Sequence, residues 1–532
     1  MRNHKIDHLV SEFSRGRIDR REFMGMLVAA GVGISSAGAL ATRAALAAGP
    51  KKGGHFRLGM ADFATTDSLE PALLDTRMQQ NITFQLRNCL VEVLAGGDLG
   101  PELAESWEGS KDATRWTFKL RKGVEFHNGK SLTPADVIWS INHHLGEDST
   151  SAVKPFFSGL KEMKATGANE ITFVLESGNQ DFPALMAYYS IVIVPEGTTN
   201  FDDGMGTGGY VLENFEPGVR SLVKRAPNYW KENAAHFDSV EIIAIGDSTA
   251  RHNALVSGEI DAYNFVDLKT VHLLARRSNV NILRVSGKAH YAFACRTDTP
   301  PYDNNDARLA LKYGINREMI LQQILNGYGT LGNDHPLSPA YRFYNGSIPQ
   351  RSYDPDKAKF HARKAGIDGM ELSLHCAETP FGGATDAGVL YSEHLKACGI
   401  NMKVVREPDD GFWNSVWAKK PFFATRWSGR VTEDLMFNLA YSASALETGW
   451  NETYFNSDRL NKLLAEARVE ADEAKRAEMY GEIQLIIHEQ GGTVTPVFAD
   501  FVDVASDRIG HGPLSSDFDL DGCRASERWW FV

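Results

Sequence analysis

Two periods of apolar residues alternate along this chain. In Trp116-Thr117-Phe118-Lys119-Leu120 every second residue is apolar, and Ile171-Thr172-Phe173-Val174-Leu175 has the same β-rich character, so both stretches predict strands. Between them the period lengthens to that of a helix. Thr133 suits an N-cap, Pro134 the first helical position, and Asp136 the third, near the positive end of the helix dipole. Val137, Ile138, Ile141 and Leu145 then recur on one face. Asp354-Pro355 starts a second helix by the same logic, running to Gly366, and residues 460–489 read as two helices divided near Asp472. Short strands alternating with amphipathic helices predict an α/β fold. Two stretches have the glycines and prolines of a chain passing between lobes: Gly204 to Gly209, and residues 286–301 around a short strand at Tyr291 to Ala294.

The N-terminus breaks this pattern. Arg20-Arg21 precede an uncharged run from Met24 to Ala41 that carries Gly25, Gly31, Gly33 and Gly38, and Ala45-Leu46-Ala47 ends it with small residues. A membrane helix needs about 20 strongly apolar residues, and this run is softer than that. Residues 1–47 therefore read as a Tat signal peptide, an address rather than an anchor. Its removal takes away seven Lys/Arg and four Asp/Glu and moves the net charge from −12 to −15. So acidic a chain is a poor partner for nucleic acid, whose phosphates need Lys/Arg, and it has no polybasic cluster for a lipid surface. No further apolar run is long enough to span a membrane. The mature protein is expected in the periplasm, as a monomer. Five cysteines without a C-x-x-C give neither a zinc ribbon nor a disulfide framework; the expectation is mostly buried thiols, with one disulfide at most.

Several motifs, in order, then carry a family resemblance. Leu103-Ala104-Glu105-Ser106-Trp107 is followed by the run from Trp116 to Lys130 and by Leu132 to Asn142. Gly206-Thr207-Gly208-Gly209-Tyr210, Asn228-Tyr229-Trp230, Ser257-Gly258-Glu259-Ile260-Asp261, Pro300-Pro301-Tyr302 and Trp450-Asn451-Glu452-Thr453 come after them. Together they resemble the extracellular solute-binding proteins of family 5, receptors of bacterial ABC importers. The resemblance implies a two-lobed periplasmic-binding-protein fold of the cluster C type, with an extra subdomain inserted in the first lobe. It implies residues 48–78, 206–286 and 497–532 as the first lobe, 79–205 as the inserted subdomain and 287–496 as the second lobe. It also implies a non-enzymatic receptor that captures a peptide-like or other polar organic solute between the lobes. Its partners would be that small-molecule or oligopeptide ligand and the membrane permease with its ATPases, with no cofactor and no metal.

One departure from the family's pattern bears on the ligand. In peptide-binding relatives a second-lobe Trp is followed three residues later by an Asp that pairs with the peptide's α-amino group; here Trp427 is followed by Arg430. A guanidinium repels an ammonium and suits a carboxylate or phosphate. The alternative is that Arg430 pairs with Glu433 or Asp434. Trp427 and Trp450 are candidate flat walls for a ligand, Asn451 a candidate hydrogen-bonding group, and Thr66 and Asp67 candidate contacts from the first lobe, with Asp67 equally suited to forming a turn. Trp413 and Trp417, spaced i and i+4, read as core. Gly204 to Gly209 spells G-x-G-x-x-G, but without the strand-to-helix context a dinucleotide site requires. His488-Glu489 lacks the second histidine of a zinc protease, and His127, His143 and His144 read as turn and helix-face residues rather than metal ligands. A periplasmic hydrolase of oligosaccharide or peptide, and a non-transport sensor or chaperone, are the competing functions, and no catalytic motif supports the first.

Overall fold

The computed structural model describes residues 49–409 and 411–532, together with Met26; the Tat signal reading falls outside these residues. Three sheets organise the chain. The first has seven strands in the order Val280–Val285, Phe501–Ser506, Ala262–Tyr263, His55–Met60, Ser239–Ala244, Arg220–Arg225 and Tyr210–Glu216. His55–Met60 runs parallel to both of its neighbours. The second has six strands, Gly329–Leu331, Thr493–Ala499, His290–Cys295, Phe422–Trp427, Glu371–Cys376 and Asn401–Arg406. The third is a four-stranded antiparallel sheet of Ala104–Gly109, Arg115–Leu120, Glu170–Leu175 and Leu160–Gly167.

The local signals act as their chemistry requires. The helix Pro134–Leu145 starts where the Asp136 carboxylate accepts from both the backbone N–H and the Oγ1 hydroxyl of Thr133, each at 2.8 Å. Pro355–Ala365 is capped by Asp354, which accepts from the Lys357 N–H, and ends on Gly366 at φ 73°, a left-handed position that suits glycine. Asp472 caps Glu473–Gln490 and separates it from Asp458–Val469.

The chain passes between the seven- and six-stranded sheets twice. Residues 286–289 join Val280–Val285 to His290–Cys295, and Asp500 alone joins Thr493–Ala499 to Phe501–Ser506. Val497 to Ala499 pair with Gly329–Leu331 of the six-stranded sheet, so the change of sheet comes at Asp500, three residues after the 497 that the resemblance implies. Both crossings are fixed by one carboxylate, since Asp500 pairs with Arg284 and faces the Ser286 hydroxyl.

The segment leading into the four-stranded sheet, with Glu92 and Glu102, is joined to Lys231 and the C-terminal Arg524–Arg528 region by buried charge. Lys231 donates to Glu92, Glu102 and Glu527 at 2.6–3.0 Å; Arg524 donates to Glu102 and Glu527, and Arg528 to Glu92. Three cations face three glutamates, Arg528 also pairs with the buried Asp521 at 3.1 Å, and against the desolvation that burial imposes the cations hold Glu527 down at about 2. All five cysteines are buried free thiols, so the single disulfide allowed for above does not form. Among the described residues no helix is long and apolar enough to cross a membrane.

Candidate functional site

The strand Phe422–Trp427 runs through the middle of the six-stranded sheet and ends beside the crossing, where Trp427 lies opposite His290. The loop after it carries Arg430 and is held from three directions. The Arg430 N–H donates to the Tyr341 hydroxyl at 2.8 Å. Lys288, in the crossing itself, donates to the Val431 carbonyl at 3.3 Å and to the Asp517 carboxylate of the first lobe at 2.6 Å. Gly429 lies so close to Lys288 that a Cβ there would collide with it. The loop is thus seated on the crossing and faces the first lobe.

Arg430 is half-buried and does not pair with Glu433 or Asp434. Glu433 accepts from the Phe343 N–H at 2.7 Å, and Asp434 is occupied by Arg468 at 2.9 Å. Among the described residues Arg430 forms no ion pair at all. Its Nη1 donates to its own loop's carbonyls, Ser428 at 3.0 Å and Gly429 at 3.2 Å, and the guanidinium lies over the Trp427 ring at 5.5 Å. The Nε and Nη2 hydrogens remain available to an acceptor.

The other expected site residues divide. Trp450 is 44% exposed and packs at an angle on both Trp417 and Trp427, with ring centroids 5.7 and 6.0 Å apart, so it presents an open face. Trp427 is only 4% exposed: its indole N–H donates to Glu452 at 2.8 Å, and it serves as the support beneath Arg430 rather than as an open wall. Glu452 also accepts from Thr425 at 2.7 Å and from the Trp417 indole, and burial raises its carboxyl above the ordinary range. Asn451 is buried and spent within its own turn, donating to the Phe455 carbonyl and accepting from Thr453. Asp67 likewise turns inward, accepting from the Ala64 N–H and the Thr76 hydroxyl, both at 3.1 Å. The turn-forming role is the one these two residues play. Thr66 stays exposed on that loop. The water-facing carboxylate there is Asp62, which follows His55–Met60 and lies near enough to the exposed Arg426 of the second lobe to feel its charge. Trp413, read above as core, is 39% exposed because its helix, Phe412–Ser415, spans only four residues and lies at the surface.

Between the lobes, Val431 meets Tyr188, Tyr189, Asp517 and Phe518 around a small cavity of about 20 Å³, room for roughly one water. Tyr188 and Tyr189 carry no signal in the sequence; they follow a short helix, Phe182–Leu185, whose pattern reads as plain core. Elsewhere Asp181 reaches from the inserted subdomain to Arg476 of the second lobe at 2.6 Å, both side chains buried. Among the described residues no group of three or more His, Cys, Asp or Glu is placed to hold a metal ion.

With this geometry in hand, comparison with known proteins is informative. The family described as "Bacterial extracellular solute-binding proteins, family 5 Middle" matches residues 98–449. A heme-binding protein A of Haemophilus influenzae is 27% identical over 494 residues, covering 84% of this chain and 86% of its own. Among solved structures, the ABC transporter-associated periplasmic binding protein DppA of Helicobacter pylori, in complex with the peptide STSA, superposes with a TM-score of 0.76 at 21% identity, over 90% of this chain and 98% of its own. The binding protein AgaA of A. tumefaciens, in complex with agropinic acid, gives 0.76 at 22% identity, over 90% and 99%.

Proposed function

Because the chain belongs to the bacterial extracellular solute-binding proteins of family 5, we propose that its interlobe cleft receives a polar organic solute by an anionic group seated at Arg430. The chain is a non-catalytic substrate-binding protein of an ABC importer for peptides or related solutes. The finer reading rests on one observation: a half-buried guanidinium beside the lobe crossing, with no carboxylate partner among the described residues and with donors left over. Such a group favours a carboxylate through paired hydrogen bonds and disfavours an ammonium at the same place. That solved relatives hold ligands as different as a peptide and agropinic acid supports a scaffold whose cleft residues, not its fold, choose the solute. Trp450, with its open face two rings away from Arg430, supplies an apolar surface for the body of that solute. Residues 48–78, 206–286 and 500–532 act as one jaw, carrying the inserted subdomain 79–205, and 287–499 as the other. Export by the Tat route into the periplasm and delivery to a membrane permease complete the reading.

The test is thermal unfolding of the protein with organic acids, opines, oligosaccharides, peptides and N-acetylated peptides. A ligand at 100 times its dissociation constant stabilises by about 2.7 kcal/mol. Anionic compounds should raise the melting temperature, and Arg430→Ala should abolish the gain. Binding of a plain dipeptide, undiminished in Arg430→Ala, overturns the reading.

A further inference from the structure

Val431, the residue after Arg430, lies beside two tyrosines of the inserted subdomain. Tyr188 and Tyr189 stack with ring centroids 4.2 Å apart, and their hydroxyls share one hydrogen bond at 2.9 Å. Two hydroxyls carry two protons, and that bond uses one, so the pair has one O–H still to donate. The pair is held rigidly. Phe518 meets the Tyr189 ring edge-on at 5.8 Å, and Phe518 is in turn covered by the Arg77 guanidinium at 4.5 Å, which Asp519 anchors at 2.9 Å. Tyr188 is fixed from the other side by Phe156 at 5.2 Å.

The two halves meet. Val431, the residue after Arg430, lines the same small cavity as Tyr188, Tyr189 and Phe518, and Lys288 ties the Val431 carbonyl to Asp517, next to Phe518. A hydroxyl donor on one lobe and a cation donor on the other thus sit on segments that adjoin at this cavity, a pairing that suits an oxyanion and not an ammonium.

We propose that Tyr189, with Tyr188 behind it, is the first-lobe half of the anion site whose second-lobe half is Arg430, so that one ligand carboxylate accepts from the phenolic O–H and the guanidinium together and holds the lobes shut. This rests on the Arg430 reading and adds to it a specificity residue on the other lobe. A ligand closes a two-lobed receptor only through contacts it gains in the closed form, and a carboxylate shared by the two lobes is such a contact.

The probe is N-acetyl-dialanine, which carries a carboxylate and no ammonium, with dialanine methyl ester as the opposite case. Titration calorimetry gives affinity, and small-angle X-ray scattering gives the contraction on binding. The protein should bind the acid and not the ester. Tyr189→Phe should weaken the acid by at least about tenfold, the loss expected for a hydrogen bond to a charged group, and should reduce the contraction. Tyr188→Phe leaves the Tyr189 proton in place and should cost less. If Arg430→Ala abolishes binding while Tyr189→Phe changes neither affinity nor contraction, the two-lobe site is overturned and the Arg430 reading survives. If the acid does not bind, or binds equally well to Arg430→Ala, both fall.

Discussion

His290 and His335 show how much a single position can cost. Both are almost completely buried, and none of their four ring nitrogens has a hydrogen-bond partner among the described residues; both rings lie near Phe498. Burial lowers each to about 3. In the unfolded chain a histidine titrates near 6.5. Below that pH the unfolded chain takes up protons that the folded protein refuses until about pH 3. Stability present above pH 6.5 is therefore lost progressively as the pH falls toward 3. The melting temperature should drop between pH 7 and pH 4.5, and His335→Leu should flatten that drop; an equally steep fall in the variant would assign the acid sensitivity to other groups. Nothing in the sequence marks these two histidines, because their isolation depends on which residues surround them. The same is true of Asp62 and Asp67, five residues apart on one loop. Either could face the cleft by composition, and only the packing of Thr76 against Asp67 decides it.

Helices and strands were more legible, and for a physical reason. The caps at Thr133, Asp354 and Asp472 act within a few residues of themselves, so the information sits in the local sequence. The end of Thr493–Ala499 is harder to read, because all seven of its residues are buried and no polar residue marks the change of sheet until Asp500. Connections between elements are harder still. The cluster of Lys231, Arg524 and Arg528 with Glu92, Glu102 and Glu527 joins residues as much as 436 positions apart, and no spacing rule reaches that far. Its burial makes it sensitive. Lys231→Met leaves three buried glutamates to two arginines and should lower the unfolding free energy by about 3–5 kcal/mol, the usual cost of stripping one partner from a buried ion pair. Denaturant titration measures this; a loss under 1 kcal/mol would mean the glutamates simply take up protons.

The lobes themselves touch at places well separated along the chain. Lys288 meets Asp517 at the crossing, Lys269 lies 3.6 Å from Asp386 at the surface, and Arg476 meets Asp181 where the inserted subdomain reaches over. The last contact is buried and its two side chains pair with each other rather than with Arg430 or Trp450, so it should hold the lobes together without itself binding the solute. Asp181→Asn should expand the protein in scattering measurements and weaken any ligand by roughly tenfold, since apparent affinity scales with the fraction able to bind. The Arg430 loop would be unchanged, and selectivity between anionic and cationic probes should persist. The five free thiols carry a consequence for the whole molecule too. Each is buried, and burial lifts the thiols of Cys376 and Cys295 to about 12 and about 11, far from the reactive thiolate. No covalent cross-link waits on an oxidising compartment. The folded chain is the same molecule in reducing and in oxidising solution, so reductant should leave its melting curve where it was.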